Sequence, residues 1–472
     1  MRIHFKHWIL RGAAVITAAV AVEYGTQFLR SVALSRLLGP TEFGIASAMA
    51  IMWALVDMST GLGADRYLVQ AKDGDSESAL AVAHALTLAR SSLSATLLAL
   101  LAYPTAHLLG VPQCSSSFAW LAVVPLIRGF EHLRLEQLQR AHRFWPWATA
   151  SAMTNVLGLI VGTCAAFVLR DHRAVLWGLA TQAVTVVVAT HIFAGLKYRI
   201  SLAAEPAVRA LRFGLPLMLN GLALATLGQF DRLVVGSFLG VAMLGRYGLA
   251  TMMFYLPTIL LARVAVSVLQ PRLSAAWHDS PLWVFPRLFR QLNAAIAVTA
   301  ALGGALVAIA GNPVLGFVFG PAYAVNDMFF GIFSLAIFVR FAKISGNLAG
   351  LAMGRTMDLM WSNMPSALGL VGTVIGLSLM PSLVVAALGL LAGEFLGALT
   401  AFILLGRNLN IASGILAAPF LLACPIPCGA AIWIALAQPS YAIRGVVVCG
   451  LALSFALSGL FLRQRVRPQA VG

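Results

Sequence analysis

The feature that most constrains this chain is a succession of apolar segments. Each is long enough to cross a hydrocarbon core, and short polar connections part them. A spanning helix needs about 20 mostly apolar residues. Fourteen segments meet that length, at about 9–36, 41–68, 79–109, 116–140, 147–169, 174–195, 213–238, 244–269, 288–311, 326–350, 357–379, 382–405, 411–436 and 442–463. Lipid offers no partner for a backbone N–H or C=O, so such segments must close their own hydrogen bonds as helices. The expected fold class is therefore all-α, a polytopic membrane protein with 14 transmembrane helices. Only 10% of the 472 residues are charged, against about 25% in soluble domains. No polar stretch is long enough to form a sizeable soluble domain.

The formal net charge of +16 raises nucleic acid as a partner. The basic residues lie between apolar segments rather than in one patch, which argues against nucleic acid. They alternate from one connection to the next. One set, with Lys72, Arg134, Arg140, Arg143, Lys197, Arg199, Arg209, Arg212, Arg272, Arg287, Arg290, Lys343, Arg355 and Arg407, reaches twenty when both termini are added; the other holds only Arg170, Arg173, Arg246 and Arg444. The positive-inside rule then places both termini in the cytoplasm and makes the helix count even. Arg2, Lys6 and Arg11 before an apolar run superficially resemble a signal peptide. That run continues past Glu23 to Leu38, so a retained first helix is expected.

An internal repeat organises the chain. Gln27-Phe28-Leu29-Arg30, Leu38-Gly39 and Phe43-Gly44 match Gln229-Phe230-Asp231-Arg232, Leu239-Gly240 and Leu244-Gly245 with one gap. Such duplication in apolar segments is the pattern of a transporter built from internal repeats. It predicts two pseudo-symmetric six-helix bundles, residues 1–200 and 201–405, with two additional helices in 406–472. Gly195 to Arg212 is the expected linker.

A charge at mid-bilayer costs roughly 2.5–3.5 kcal/mol even on the lenient insertion scale, so intramembrane charges mark function or buried pairs. Arg30, Arg90, Arg128, Arg232 and Arg263 lie deep in predicted helices, whereas Arg36, Arg66 and Arg340 lie nearer helix ends, from where they would snorkel. Glu23, Gln27 and Arg30 share one helical face, as do Arg263, Ser267 and Gln270, and Asp57, Thr60 and Asp65. Buried pairs, such as Glu23 with Arg30 or Asp231 with a basic neighbour, would account for single arginines. Set against the candidate acids Glu23, Asp57, Asp231 and Glu394, the five deep arginines leave a cationic excess that would attract an anion. Arginine suits that role, since its planar fork binds phosphate oxygens bidentately and stays charged when buried. The candidate substrate-binding residues are Arg30, Arg232, Arg263, Arg90, Gln27 and Gln229. Glu23, Asp57 and Asp231 are candidates for coupling or ion pairing. Pro257, six residues before Arg263, is the best hinge candidate among Pro125, Pro216 and Pro257.

Other chemistries lack their residues. No Walker A loop precedes any lysine, and no metalloprotease or Gly-x-Ser-x-Gly motif occurs, so no catalytic residues and no cofactor are expected. Cys424 and Cys428 stand four apart without a His or acid nearby, which favours packing over metal binding. Asp73-Gly74-Asp75 reads as a solvated turn. The small-residue series Gly158 and Gly162, Gly350 and Gly354, Gly372 and Gly376, and Gly389, Gly393 and Gly397 read as helix-packing faces.

Taken in order, several short motifs carry a resemblance. In the second half these are Arg212-Phe213-Gly214-Leu215-Pro216, Phe230-Asp231-Arg232-Leu233-Val234-Val235-Gly236, Leu239-Gly240 and Leu244-Gly245-Arg246-Tyr247. The first half has Ser35-Arg36-Leu37-Leu38-Gly39-Pro40, Phe43-Gly44 and Gly61-Leu62-Gly63. Arg140-Ala141-His142-Arg143-Phe144 and Gly320-Pro321-Ala322-Tyr323 also fit. Over roughly residues 10–405 the chain resembles bacterial polysaccharide-export flippases of the multidrug/oligosaccharidyl-lipid/polysaccharide flippase superfamily. That resemblance implies two bundles around a V-shaped, alternating-access cavity. It also implies a substrate, an oligosaccharide on undecaprenyl pyrophosphate moved across the bacterial inner membrane for exopolysaccharide, capsule or O-antigen synthesis. The expected partners are this lipid-linked substrate, membrane lipids, and polysaccharide polymerases and glycosyltransferases. The alternative is a cation-coupled multidrug antiporter of the same superfamily, which would want an acid-rich cavity. A membrane polymerase or glycosyltransferase is the third class. The connection near 311–326 is too short for the large loop such enzymes use.

Overall fold

The structure, a computed structural model, describes residues 2–281, 283–440, 442–444 and 446–448; the side chains of 2–11, 13, 220, 223–227, 256, 257 and 259–267 lie outside the described set. Most of the last predicted helix, Cys449, the basic tail, and the side chains of Pro257, Arg263 and Ser267 therefore fall outside it.

Every regular element among the described residues is helical. The first two predicted segments form one element, α1 (Arg2–Ser59), broken at Gly39, where φ is 73° and ψ 170°. Then come α2 (Ala64–Gln70) and α3 (Glu77–Leu108). The fourth predicted segment is three short helices, α4 (Ser115–Trp120), α5 (Val123–Arg128) and α6 (Arg134–Arg140). α7 (Trp145–Leu169), α8 (Ala174–Ala194), α9 (Ala204–Leu239) and α10 (Val241–His278) follow. Next are α11 (Val284–Phe319), α12 (Asp327–Ala352), α13 (Thr356–Asn363), α14 (Ser366–Leu379) and α15 (Leu383–Leu409). α16 (Ser413–Ala423) and α17 (Pro425–Ala437) complete the series. Among the described residues nine helical stretches are long and apolar enough to cross a membrane, consistent with the predicted polytopic all-α fold.

The chain divides into two compact units, Met1–Gly245 and Arg246–Gly472. In the first, Ile45, Met49, Met52 and Val56 line one face of α1 and pack with Leu98, Ala102 and Ala106 of α3, Phe118 of α4 and Leu179 and Ala183 of α8. Residues pointing the other way, such as Phe167 and Val168 of α7, are largely exposed, as side chains solvated by lipid would be.

The repeated glycines meet one another. Gly240 adopts φ 84° and ψ 164°, the same conformation as Gly39, so both copies of Leu-Gly kink alike. No L side chain enters that region cheaply. A Cβ on Gly44 would lie 1.9 Å from the Val241 carbonyl oxygen, and one on Gly245 would lie 3.0 Å from the Pro40 carbonyl oxygen and 3.2 Å from Gly44 Cα. Each copy's second glycine therefore sits against the other copy's kink. At the opposite end of α9, Gly214 and Gly221 crowd the carbonyls of Leu62 and Met58. Pro216 sits inside α9 without interrupting it.

In the second unit, α11, α12, α15 and α16 enclose a core that includes Phe285, Phe289, Phe338, Phe402 and Phe420. One fully buried amide ties three helices: Asn293 donates to the Leu416 carbonyl at 2.7 Å and accepts from Ser345 Oγ at 2.6 Å. The small-residue series is largely packing, as expected. A Cβ on Gly369 would strike Gly393 Cα at 2.5 Å, Gly389 abuts Thr373, and Gly162 abuts Gly178. Gly354 differs: its φ of 76° ends α12 rather than serving a helix contact.

Candidate functional site

The break in the fourth segment shapes an interior space of the first unit. Between α5 and α6 the helix stops, and consecutive N–H groups lose their intrahelical acceptors. A buried N–H without a partner is costly, and here three side chains take the bonds. His132 N–H donates to Thr190 Oγ1 at 3.1 Å, Leu133 N–H to His84 Nε2 at 3.2 Å, and Arg134 N–H to His132 Nδ1 at 3.2 Å. These acceptor roles settle the tautomers. His84 carries its proton on Nδ1, 2.9 Å from the Arg199 carbonyl, and His132 carries its own on Nε2, 3.2 Å from the Leu196 carbonyl. The histidines are thus structural acceptors.

The break places Arg128, Glu131 and Glu136 at the boundary of two cavities, of 290 and 460 Å³, which share all three residues and Trp147 in their walls. The smaller is also lined by Glu23, Trp53, Asn155 and Gln182; the larger adds Asp57, Asp65, Arg66 and Arg90. Arg90 donates to the Asp57 carbonyl at 2.9 Å and pairs with its carboxylate. Arg128 stands 3.6 Å from the Glu131 carboxylate, with its guanidinium 6.0 Å from the centre of the Trp53 ring. Gln139 Nε2 donates to Glu136 at 2.7 Å. Five carboxylates (Glu23, Asp57, Asp65, Glu131, Glu136) face three guanidiniums (Arg66, Arg90, Arg128). This chamber is acid-rich, and neither Arg30 nor Arg232 lines it. Only long-range packing could show this, because Glu131 and Glu136 sit in a segment whose break the apolar pattern conceals.

The predicted residues separate into groups. Glu23, Asp57 and Arg90 come together around the chamber. No ion pair joins Glu23 to Arg30 among the described residues; Arg30 and Arg232 are both half-buried there and form no hydrogen bond or ion pair through their side chains. Gln229, one turn before Arg232, has its side-chain oxygen buried with no hydrogen-bond partner. Gln27 is exposed, Asp231 is half-buried, and the Arg263 side chain is outside the described set. Arg36 and Arg66 are exposed as expected, but Arg340 does not snorkel. It pairs with the buried Glu394, and Lys343, assigned from sequence to a connection, lies inside α12 on the same carboxylate. Cys424 and Cys428 keep free thiols 3.5 Å apart, and no metal-holding group of residues occurs among those described.

Asp73-Gly74-Asp75 is more tightly held than a solvated turn. Arg209 donates to Asp73 at 2.8 Å, Tyr67 Oη donates to it at 3.0 Å, Arg140 stands 2.7 Å from Asp75, and Gln137 donates to the Gly74 carbonyl at 2.7 Å. Burial raises the Asp73 carboxyl, but the bonds from Arg209 and Tyr67 outweigh it and hold it below the usual carboxylate range.

A family model described as "polysaccharide biosynthesis protein" matches residues 33–326, more than half of the chain. No curated protein matches it in sequence. Among solved structures, the chain is similar to the lipid II flippase MurJ in an inward closed conformation, with a TM-score of 0.67 and 14% identity over 96% of this chain and 99% of that one. It is also similar to an inward-facing multidrug resistance MATE family transporter of the MOP superfamily, with a TM-score of 0.59 and 12% identity over 84% and 98%. A third is the Vibrio cholerae MATE transporter VcmN, with a TM-score of 0.53 and 16% identity over 86% and 97%. At such identities the likeness speaks for the fold alone, a polytopic all-α fold.

Proposed function

Because the chain belongs to the polysaccharide biosynthesis protein family, we propose that it is a flippase. In this reading it carries an undecaprenyl-pyrophosphate-linked oligosaccharide from the cytoplasmic to the periplasmic leaflet of the bacterial inner membrane, and performs no catalysis. The functional halves are the lobes 1–200 and 201–405, with 406–472 as an addition and both termini cytoplasmic. The observation that carries the reading is the pair Arg30 and Arg232. They stand at matching positions of the repeat, half-buried, with no side-chain partner among the described residues. An intramembrane guanidinium held without a counter-charge is poised for an anionic substrate. Arg30, Arg232 and Arg263 hold the pyrophosphate, and Gln27 and Gln229 meet sugar hydroxyls. Arg90, paired with Asp57, is the least available of the arginines. Moving two negative charges out of an inside-negative cell is favoured by about 4.6 kcal/mol per 100 mV.

The test is Arg30→Ala combined with Arg232→Ala. Export of the polysaccharide stops while protein level holds, and lipid-linked repeat units collect on the inner leaflet. Normal export by the double variant refutes the assignment.

The acid-rich chamber favours a second reading, a cation-coupled antiporter or cation coupling of the flippase itself through Glu23 and Asp57. A drug-resistance assay in a sensitised host separates the antiporter. Dependence of export on a sodium or proton gradient, lost in Glu23→Gln, reveals coupling.

A further inference from the structure

One wall of the chamber carries polar groups that no ion pair explains. α7 is long and apolar enough to cross a membrane, yet Trp147, Ser151, Thr154 and Asn155 all line the 290 Å³ cavity. They recur at helical spacing and so share a face. Gln182 of α8 and Trp53 of α1 line the same cavity. The Gln182 stem lies across Gly158, where a Cβ would come within 2.4 Å of its Cγ. That glycine therefore admits a polar side chain between two spanning helices. Polar groups placed inside a helix bundle in the membrane are costly and mark function.

Most of these groups are not used up by the protein. The Gln182 amide and the indole N–H groups of Trp53 and Trp147 form no hydrogen bond among the described residues. Asn155 donates to the Ser151 carbonyl at 2.9 Å, and its amide oxygen accepts nothing there. Thr154 Oγ1 is buried without a partner. Both tryptophans are half-buried, and each packs against an apolar core cluster that steadies it. A pyranose presents the complement of such a wall. Its hydroxyls both donate and accept, and its C–H faces lie well on an aromatic ring. Amides, carboxylates and indoles answer both needs. Charge narrows the choice further. The chamber has five carboxylates against three guanidiniums, of which Arg90 and Arg128 already face Asp57 and Glu131. An acidic sugar would be repelled there. Side by side, the cavities of 290 and 460 Å³ reach the size of small-molecule pockets, roughly 300–1,000 Å³.

We propose that this chamber is a glycan site for the transported molecule, and that it takes pyranose residues bearing no negative charge. Trp53 and Trp147 take the C–H faces, Thr154, Asn155 and Gln182 take the hydroxyls, and the surplus carboxylates exclude uronates. The inference rests on the flippase reading and adds a sugar site to it. Glu23, in the chamber wall, precedes Arg30 by seven residues of α1, about 10 Å along the helix axis. A pyrophosphate held at Arg30 therefore leaves its first sugars within reach of the chamber.

The experiment measures equilibrium binding to the full chain in phosphatidylcholine nanodiscs, with no ion gradient. Three probes are titrated: undecaprenyl pyrophosphate, the same carrier bearing a neutral disaccharide, and the carrier bearing a disaccharide with one glucuronate. Wild type binds the neutral glycolipid more tightly than either of the others. Asn155→Ala combined with Gln182→Ala weakens the neutral glycolipid roughly tenfold, the scale of two hydrogen bonds, and the loss does not extend to the bare carrier. Glu23→Gln tightens the glucuronate probe by about threefold or more, the repulsion between like charges about 6 Å apart even in water. A merely structural wall cannot give a loss confined to the glycosylated probes together with a gain on removing a carboxylate. If the double amide variant does not fold, Trp147→Phe keeps the packing with a smaller aromatic face, and a selective loss of the neutral glycolipid is again expected. Equal wild-type affinity for bare carrier and neutral glycolipid, or unchanged affinities in the variants, overturns this inference and leaves the flippase reading standing. Failure of the wild type to bind any probe overturns the flippase reading, and this inference with it.

Discussion

Replacing Gly44 by alanine isolates the packing role of the repeated glycines. The new Cβ would lie 1.9 Å from the Val241 carbonyl oxygen and 2.5 Å from its carbon, where ordinary van der Waals contact begins at 3.4 Å. A gap of 1.5 Å must therefore open between two backbones. No flexible side chain stands there to yield, so the kink at Gly240 or the helix bearing Gly44 must move. Overpacking of this kind costs about 1–3 kcal/mol. Alanine also gains roughly 0.5–1 kcal/mol over glycine in a helix, which would mask part of the loss. Gly25→Ala supplies the control, because Gly25 lies in the same element and nothing stands within 4 Å of its would-be Cβ. The propensity gain is common to both variants and cancels, so their difference is the clash alone. Gly245→Ala meets a carbonyl at 3.0 Å and should fall between them. Equilibrium unfolding in mixed micelles reads the order. Equal stability of Gly44→Ala and Gly25→Ala would refute the reciprocal glycine contact.

Three further outcomes follow from the structure. His84→Ala removes the acceptor of the Leu133 N–H and the donor to the Arg199 carbonyl. It should destabilise the first unit by about 1–3 kcal/mol, with faster amide exchange at Leu133 as the specific sign. Asp73→Asn tests the clasp on the loop before α3. The Asp73 carboxyl is held below its unfolded value, so the charged form stabilises the fold at pH values above the ordinary carboxylate range, and that contribution disappears as pH falls through the lowered value. The stability difference between wild type and Asp73→Asn should stay constant from pH 8 to about 5 and shrink only in stronger acid; a difference that already changes near neutrality would contradict it. In the first unit, Thr190→Val strips the acceptor from the His132 N–H and should lower stability without altering the charge of the chamber, so cation dependence of export is expected to persist.

Much of this organisation was legible in the residues. Segment length and backbone hydrogen bonding decide that the chain is helical and spans a membrane, whatever packs against what. The paired Leu-Gly steps at 38–39 and 239–240 announce the duplication, and the structure kinks at both through angles that only glycine tolerates cheaply. The glycine series on α15 announces a close helix contact. The fourth segment was misleading. Its composition is apolar enough for one helix, but the break after Arg128 is sustained by His84 and Thr190, which are remote in sequence.

Charge partners were the least legible. The local pattern put Glu23 and Arg30 on one helical face, yet Glu23 lines the chamber and no ion pair joins the two. Arg340 looked like an end-of-helix cation and Lys343 like part of a connection until α15 brought Glu394 between them. Hydropathy and periodicity are properties of a segment, and they determined the all-α membrane fold, its duplication and its polar faces. Which charge meets which depends on the rotation and height of neighbouring helices. Those are set by packing across the whole bundle, so only the tertiary structure could assemble the acid-rich chamber and the Arg340–Glu394–Lys343 cluster.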